Sequence, residues 1–186
     1  APGVAQINGR GVYYGTAMSE AVAYRGKEVF VVGGGNSAGQ TALHLAQYAR
    51  SVTLLVRASS LKLSMSQYLI DQLEATRNVE ISVRSQVVKA EGESKLENLI
   101  IERGSEQREL PADALFILIG QRPATDWAKD VLLTDRRGFL LTGDMAMESD
   151  IGQRVHEILG RSLLPLETPA PGVFAAGDVR HGSVNR

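Results

Sequence analysis

Between residues 28 and 49 the hydrophobic period of the chain changes once, and a run of three glycines marks the change. Val29-Phe30-Val31-Val32 is a short, unbroken run of β-formers, the pattern of a strand buried on both faces of a parallel sheet. Gly33-Gly34-Gly35 ends it. Ala38, Ala42, Leu45, Ala46 and Ala49 then recur at spacings of three and four, which predicts a helix laying one narrow face on that sheet. Side chains this small let the helix axis come close to the strand. Strand, tight glycine turn and small-faced helix together point to an α/β fold.

The same alternation continues. Val52 to Val56 reads as a second buried strand, Tyr68 to Leu73 as a helix through Leu69, Ile70 and Leu73, and Val79 to Val83 as a third strand. Two polar-alternating segments follow, around Val87-Val88 and Leu99-Ile100-Ile101, separated by Glu91-Gly92-Glu93-Ser94 and ended by Gly104-Ser105. They predict antiparallel strands crossing one face of the sheet. Ala114 to Ile119 is fully apolar again and stops at Gly120. The order βαβαβ, β-meander, β predicts a doubly wound parallel sheet in a three-layer unit.

Outside this unit the pattern is weaker. Ala1 to Gly15 is rich in glycine and small residues without a sustained apolar period, and residues 1–10 read as a linker. Beyond Arg122-Pro123, Arg136-Arg137-Gly138 predicts a turn, Ile151 to Leu159 a short helix, and Val173 to Ala176 a buried strand of a second domain whose other strands lie outside the chain.

The turn carries the functional signal. Gly33-Gly34-Gly35-Asn36-Ser37-Ala38 fits G-x-G-x-x-A between a buried strand and a small-faced helix, the setting of a Rossmann-like dinucleotide fingerprint. Gly33 allows the tight turn, Gly35 lets a pyrophosphate approach the backbone, and Ala38 lets the helix sit close to the strand. The free amides at the start of the helix, at Asn36 and Ser37, face the anion. Gly34 to Thr41 also has Walker A spacing, but Gln40 stands where the phosphate-neutralising lysine belongs, which argues against a nucleoside triphosphatase.

The end of the second strand indicates which dinucleotide is bound. An acid there holds the ribose 2′-hydroxyl of NAD, whereas a cation suits the 2′-phosphate of NADP. Arg57 occupies that place, Lys62 follows, and no acid occurs between Arg50 and Asp71. NADPH is the expected cofactor.

Composition removes other classes. Twenty Lys and Arg against 21 Asp and Glu give a net charge of -1, with no basic excess for a nucleic acid. No window approaches the roughly 18 apolar residues of a membrane span, and the chain reads as cytoplasmic. It has no cysteine, which removes disulfides, thiolate metal sites and thiol nucleophiles. His44, His156 and His181 are far apart and lack carboxylate partners at ligand spacing, so no metal is assigned.

Gly9-Arg10-Gly11-Val12, the glycine turn, Gly120-Gln121-Arg122-Pro123 and Pro171 to Asp178 together resemble the low-molecular-weight thioredoxin reductase family. The resemblance covers essentially the whole chain and implies an NAD(P)H-binding domain over residues 11–121, inserted into an FAD-binding domain whose returning segment is 122–186. It also implies that Gly177 and Asp178 contact the ribityl and pyrophosphate part of FAD, and that Gly120 and Gln121 flank the nicotinamide nucleotide. The family grips the 2′-phosphate with His-Arg-Arg and a later cation; here Val56, Arg57, Ala58 and Lys62 hold those places. A charge-assisted hydrogen bond is worth roughly 1.5–3 kcal/mol, so one lost arginine relaxes the preference for NADPH by about 10- to 150-fold and admits NADH.

The family's Cys-Ala-Thr-Cys is missing. Tyr13-Tyr14-Gly15-Thr16-Ala17-Met18-Ser19-Glu20 stands in its region, so no mixed disulfide can form here and thioredoxin reduction by this segment is excluded. Tyr13, Tyr14 and Met18 are expected to pack against the flavin or a domain hinge. An N-terminal fingerprint for FAD does not precede Ala1, and the chain reads as a fragment of a longer flavoenzyme, inactive alone. Two functions follow. One is hydride transfer from NAD(P)H to FAD and on to an acceptor the sequence does not identify, with no acid, base or nucleophile assigned. The other is a redox-silent module that senses NADP(H) or engages a partner. Flavoenzymes of this type are commonly dimers, and a homodimer is the expectation for the full-length protein.

Overall fold

The computed structural model describes residues 1–15, 21–120 and 123–183. Packing divides the chain into two compact units, Ala1–Gly120 and Gln121–Arg186.

The first unit has the expected doubly wound sheet. Its strands are β1 (Val12–Tyr14), β2 (Glu28–Val32), β3 (Ser51–Val56), β4 (Val79–Val83) and β8 (Ala114–Ile117), all parallel in the order β1-β8-β2-β3-β4. Helices α1 (Asn36–Ala46) and α2 (Gln67–Ala75) cover one face. They bury Ala38, Ala42, Leu45, Leu69, Ile70 and Leu73 against Val29, Val31, Val52, Leu54 and Phe116. The opposite face of the sheet, through Phe30, Leu55 and Leu115, packs on Ala90, Leu99 and Ile101 of a three-stranded antiparallel sheet. The strands of that sheet are β5 (Ser85–Glu91), β6 (Asn98–Arg103) and β7 (Glu106–Pro111). Both faces of β2, β3 and β8 are therefore buried, which is why Val29–Val32, Leu54–Val56 and Ala114–Ile117 are unbroken apolar runs.

Three local features depart from the sequence reading. The meander has three strands, not two; every residue of β7 is exposed, so Glu106–Pro111 has no apolar alternation to reveal it. Residues 1–10, read as a linker, belong to the first compact unit. Val4 and Ile7 are buried in the core shared with β6, and the Ala90 amide donates to the Pro2 carbonyl at 3.1 Å. Tyr13, expected against a flavin or a hinge, stacks on Phe116 at 5.3 Å between ring centres and meets Tyr24 edge-on within this unit. Tyr14 is exposed, and Met18 lies outside the described residues.

The second unit holds α3 (Gly143–Met147), α4 (Asp150–Leu159) and a small core of Ala128, Leu132, Leu140 and Ala175 from its loops and turns. The helix expected at Ile151 to Leu159 is α4. Its start is capped by the Ser149 hydroxyl, which accepts from the Gly152 amide at 3.0 Å, and left-handed Gly160 ends it. The turn expected at Arg136-Arg137-Gly138 closes through the Asp135 amide on the Phe139 carbonyl at 2.8 Å.

Val173 to Ala176 is not the buried strand its composition suggests. Phe174 is 57% exposed, Ala175 is the buried member, and one bridge to Glu167 is the segment's ladder contact. An apolar run becomes a buried strand only beside other strands, and the described residues of this unit form isolated bridges without a ladder.

Candidate functional site

The chain runs from β2 outward to β3 and β4, then crosses back to β8 on the other side of β2. In such a sheet the crevice opens at the carboxyl ends of the strands, where the winding reverses, here between β2 and β8. The glycine turn sits there.

Gly33 has φ +154, and its amide donates to the Leu55 carbonyl at 3.1 Å. A Cβ at Gly33 would lie 2.5 Å from the Leu118 carbonyl oxygen and 2.8 Å from the Ala38 Cβ. The glycine is therefore needed so that α1 can press on β2 and β8, and Ala38 is fully buried at the contact. Gly35 caps α1 from an extended backbone with φ -95, without a side-chain capping bond. A Cβ there would have the Ser64 carbonyl, 3.9 Å away, as its nearest neighbour. The space in front of Gly35 is open and Asn36 and Ser37 are exposed, at a helix start whose first amides have no partner within the helix.

The loop after β3 is fastened over this turn by two serines that the sequence reading did not single out. The Ser64 hydroxyl donates to the Gly34 carbonyl at 2.8 Å. Asn36 Oδ1 accepts from the Ser66 amide at 2.8 Å and from its hydroxyl at 3.1 Å. Ser60 caps the short turn Leu61–Leu63 by accepting from the Lys62 amide. The sequence signal that was available is the Ser-Met-Ser run just before α2, which supplies the residue capping that helix at Ser66.

Arg57 is the first residue past β3, and Lys62 lies in the fastened loop; both are exposed. Among the described residues neither enters an ion pair. Two cations thus stand at the carboxyl edge of the sheet near the glycine turn, with no acid on the connecting segment. Gly120 is exposed with φ +86, just past β8 on the same edge. Gln121 lies outside the described residues. The structure therefore brings Gly33, Gly35, Asn36, Ser37, Ala38, Arg57, Lys62 and Gly120 to one edge of one sheet.

Gly177 and Asp178 belong to the second unit, in a single turn, Gly177–Val179, with Gly177 at φ +77 and both residues exposed. A Cβ on Gly177 would meet nothing within 4 Å. Two side-chain clusters brace the surrounding loops. His181 Nδ1 and Asp135 Oδ2 are 2.8 Å apart, and Asp135 Oδ1 accepts from the Arg137 and Phe139 amides. Burial pushes the Asp135 carboxyl up, but these partners together hold it below the ordinary range. Arg161 grips Glu167 with two nitrogens, at 2.8 and 2.9 Å, and the Leu164 amide adds a third bond. The Arg161 guanidinium and that amide hold the Glu167 carboxyl down at about 2.

Among the described residues no three His, Asp or Glu side chains gather as a metal site, and no helix is long and apolar enough to cross a membrane.

The family model described as pyridine nucleotide-disulphide oxidoreductase matches residues 1–186. The chain belongs to this family. Within it the chain is thioredoxin reductase-like. It is 31% identical over 177 residues to the "34.2 kDa protein in rubredoxin operon" of Clostridium pasteurianum, covering 94% of this chain and 50% of that protein. It is 31% identical over 175 residues to a thioredoxin reductase of Streptomyces clavuligerus, covering 93% and 48% respectively. Its fold matches Lactococcus lactis thioredoxin reductase with a TM-score of 0.78 at 25% identity, over 100% of this chain and 55% of that one. The chain spans about half the length of these relatives. Unlike a disulphide oxidoreductase that works through its own thiols, this member of the family has no cysteine in its 186 residues.

Proposed function

We propose that this chain is the nicotinamide nucleotide-binding part of a thioredoxin reductase-like flavoprotein oxidoreductase. Residues 11–121 form the NAD(P)H domain, and residues 122–186 belong to an FAD-binding domain. The supporting observation is the Gly35 cradle. It is the open side of a turn whose other side, at Gly33, is closed by Leu118 and Ala38, and it lies on the edge of the sheet that also presents Arg57 and Lys62.

The residues present fit a dinucleotide phosphate. The amides at the start of α1 bind the diphosphate and orient it along the edge of β2 and β8. Arg57 and Lys62 hold the adenosine 2′-phosphate, and Gly120 lets the chain pass close to the nicotinamide half. In the second unit, Gly177 has no side chain to obstruct the diphosphate of FAD, and Asp178 would accept a hydrogen bond from its ribityl chain. Bound in these places, the nicotinamide nucleotide would supply hydride-donor chemistry and FAD hydride-acceptor chemistry. The segment has no thiolate of its own to exchange with a disulfide.

Calorimetric titration of the 186-residue chain with NADPH and NADH tests the binding step. The expected result is one site with NADPH tighter than NADH, and an Arg57→Gln variant that narrows the difference. Absence of binding by either nucleotide would overturn the reading. In the flavin-containing polypeptide, anaerobic NADPH is expected to abolish the absorption of oxidised flavin. Tight binding without that change would assign the crevice to nucleotide sensing instead.

A further inference from the structure

Arg84 is, among the described residues, the single non-glycine residue with positive φ, at +54. It is also the one residue between β4, which ends at Val83, and β5, which begins at Ser85. A left-handed junction of this kind is met at lower strain by glycine or asparagine, so an arginine there calls for a reason beyond the turn. The turn itself does not use the arginine side chain. The Ser85 hydroxyl lies 2.8 Å from that of Ser82 and donates to the Val83 carbonyl at 3.1 Å. The backbone amide of Arg84 donates to the Ala58 carbonyl at 3.0 Å.

That last bond fixes where the residue stands. The register of β3 on β4 pairs Val56 with Val83, so Arg57 and Arg84 are each the first residue past paired strand ends. They sit on neighbouring strands, about 4.8 Å apart in a parallel sheet, at the carboxyl edge where such sheets take their ligands. Arg84 is exposed, and among the described residues its side chain enters no ion pair or hydrogen bond. Its amide partner, Ala58, immediately follows Arg57 and carries no charge of its own. Strained backbone that persists without a local structural reason is a mark of a functional position.

We propose that Arg84 is a specificity-determining residue, a third cation that completes the 2′-phosphate site with Arg57 and Lys62 from the neighbouring strand. This rests on the reading of the crevice as a nicotinamide nucleotide site and deepens it. The chain is then selective for NADPH, and the charge absent from Ala58 is supplied across the sheet.

The test uses the 186-residue chain with Arg84→Asn and Arg84→Lys, titrated with NADPH and with NADH by calorimetry, alongside urea denaturation. Asparagine accepts the left-handed backbone, so Arg84→Asn is expected to keep or raise the denaturation midpoint. Its NADPH affinity is expected to fall by about tenfold or more, the range of one charge-assisted hydrogen bond. NADH affinity is expected to stay unchanged, and Arg84→Lys to retain most of the NADPH preference. Wild-type affinity for both nucleotides in Arg84→Asn, or an equal loss for both, would overturn the role of Arg84 and leave the nucleotide site standing. Failure of the wild-type chain to bind either nucleotide would overturn both readings.

Discussion

The side-chain oxygen of Asn36, in the first turn of α1, accepts hydrogen bonds from both the amide and the hydroxyl of Ser66, thirty residues further on. This clasp ties the loop that carries Lys62 to the start of α1, the helix proposed to cradle the diphosphate. Asn36 is thus a fastening residue as well as a member of the proposed nucleotide site. Asn36→Ala is expected to cost about 1 kcal/mol of unfolding free energy, the usual net value of a lost side-chain hydrogen bond. Asn36→Asp keeps the acceptor and is expected to retain most of that stability. Its added negative charge beside the bound phosphates should nevertheless weaken NADPH binding several-fold, read by calorimetry.

The two glycines that flank the turn should respond oppositely. Gly33→Ala places a Cβ against the Leu118 carbonyl and Ala38, at a φ that side chains seldom adopt. A destabilisation of roughly 1–3 kcal/mol is expected in urea denaturation. Gly35→Ala meets nothing closer than 3.9 Å at φ -95, so folding should be nearly unchanged. The new methyl group occupies the approach to the amides, and NADPH affinity is expected to fall by more than about tenfold.

Arg161 and Glu167 predict a pH dependence for the second unit. The Glu167 carboxyl is held at about 2 against an ordinary 4.5. Because the folded value is the lower one, the unfolded chain binds the proton first as pH falls. The stabilisation is therefore fully present above the ordinary value and is lost between about 4.5 and about 2. Glu167→Gln should lower the thermal midpoint at neutral pH and flatten its decline across that window. An unchanged acid profile would count against the clasp.

Lys62 and Arg57 should differ in their salt response and in the consequence of removal. Lysine presents a point charge on a flexible stem, whereas arginine presents a fork matched to phosphate. Lys62→Gln is expected to weaken NADPH binding less than Arg57→Gln, and both losses should shrink as ionic strength rises. NADH binding should be insensitive to either change.

The elements that were legible in the sequence are those whose own residues carry the period. β2, α1, β3 and β4 are flanked by clear breaks, and the first three bury most of one face while β4 half-buries its own, so Val29 to Val83 could be read almost element by element. β1 is three residues long at a sheet edge, too short to show a period, and its place beside β8 comes from a pairing a hundred residues away. β7 is exposed along its length and holds its register by backbone bonds to β6. In the site, Gly33, Gly35, Ala38 and Arg57 were visible because strand ends fix their positions. Ser64 and Ser66 were not, because their roles depend on a loop folding back thirty residues onto α1. The Arg161–Glu167 and Asp135–His181 clasps stayed hidden for the same reason: charges at arbitrary spacing become partners only once the chain is folded. The run at Val173 shows the converse, a strand-like composition with no ladder to join.

In the proposed site the amides following the glycine turn hold a diphosphate while Arg57 and Lys62 hold the 2′-phosphate. An NMR titration of the isotopically labelled chain with NADPH reads both groups at once. The expected result is that the largest amide shifts fall at Gly35, Asn36 and Ser37, with side-chain shifts at Arg57 that NADH does not reproduce. Saturable NADPH binding that leaves the Gly35 to Ser37 amides unmoved, or identical shifts at Arg57 with both nucleotides, would contradict it.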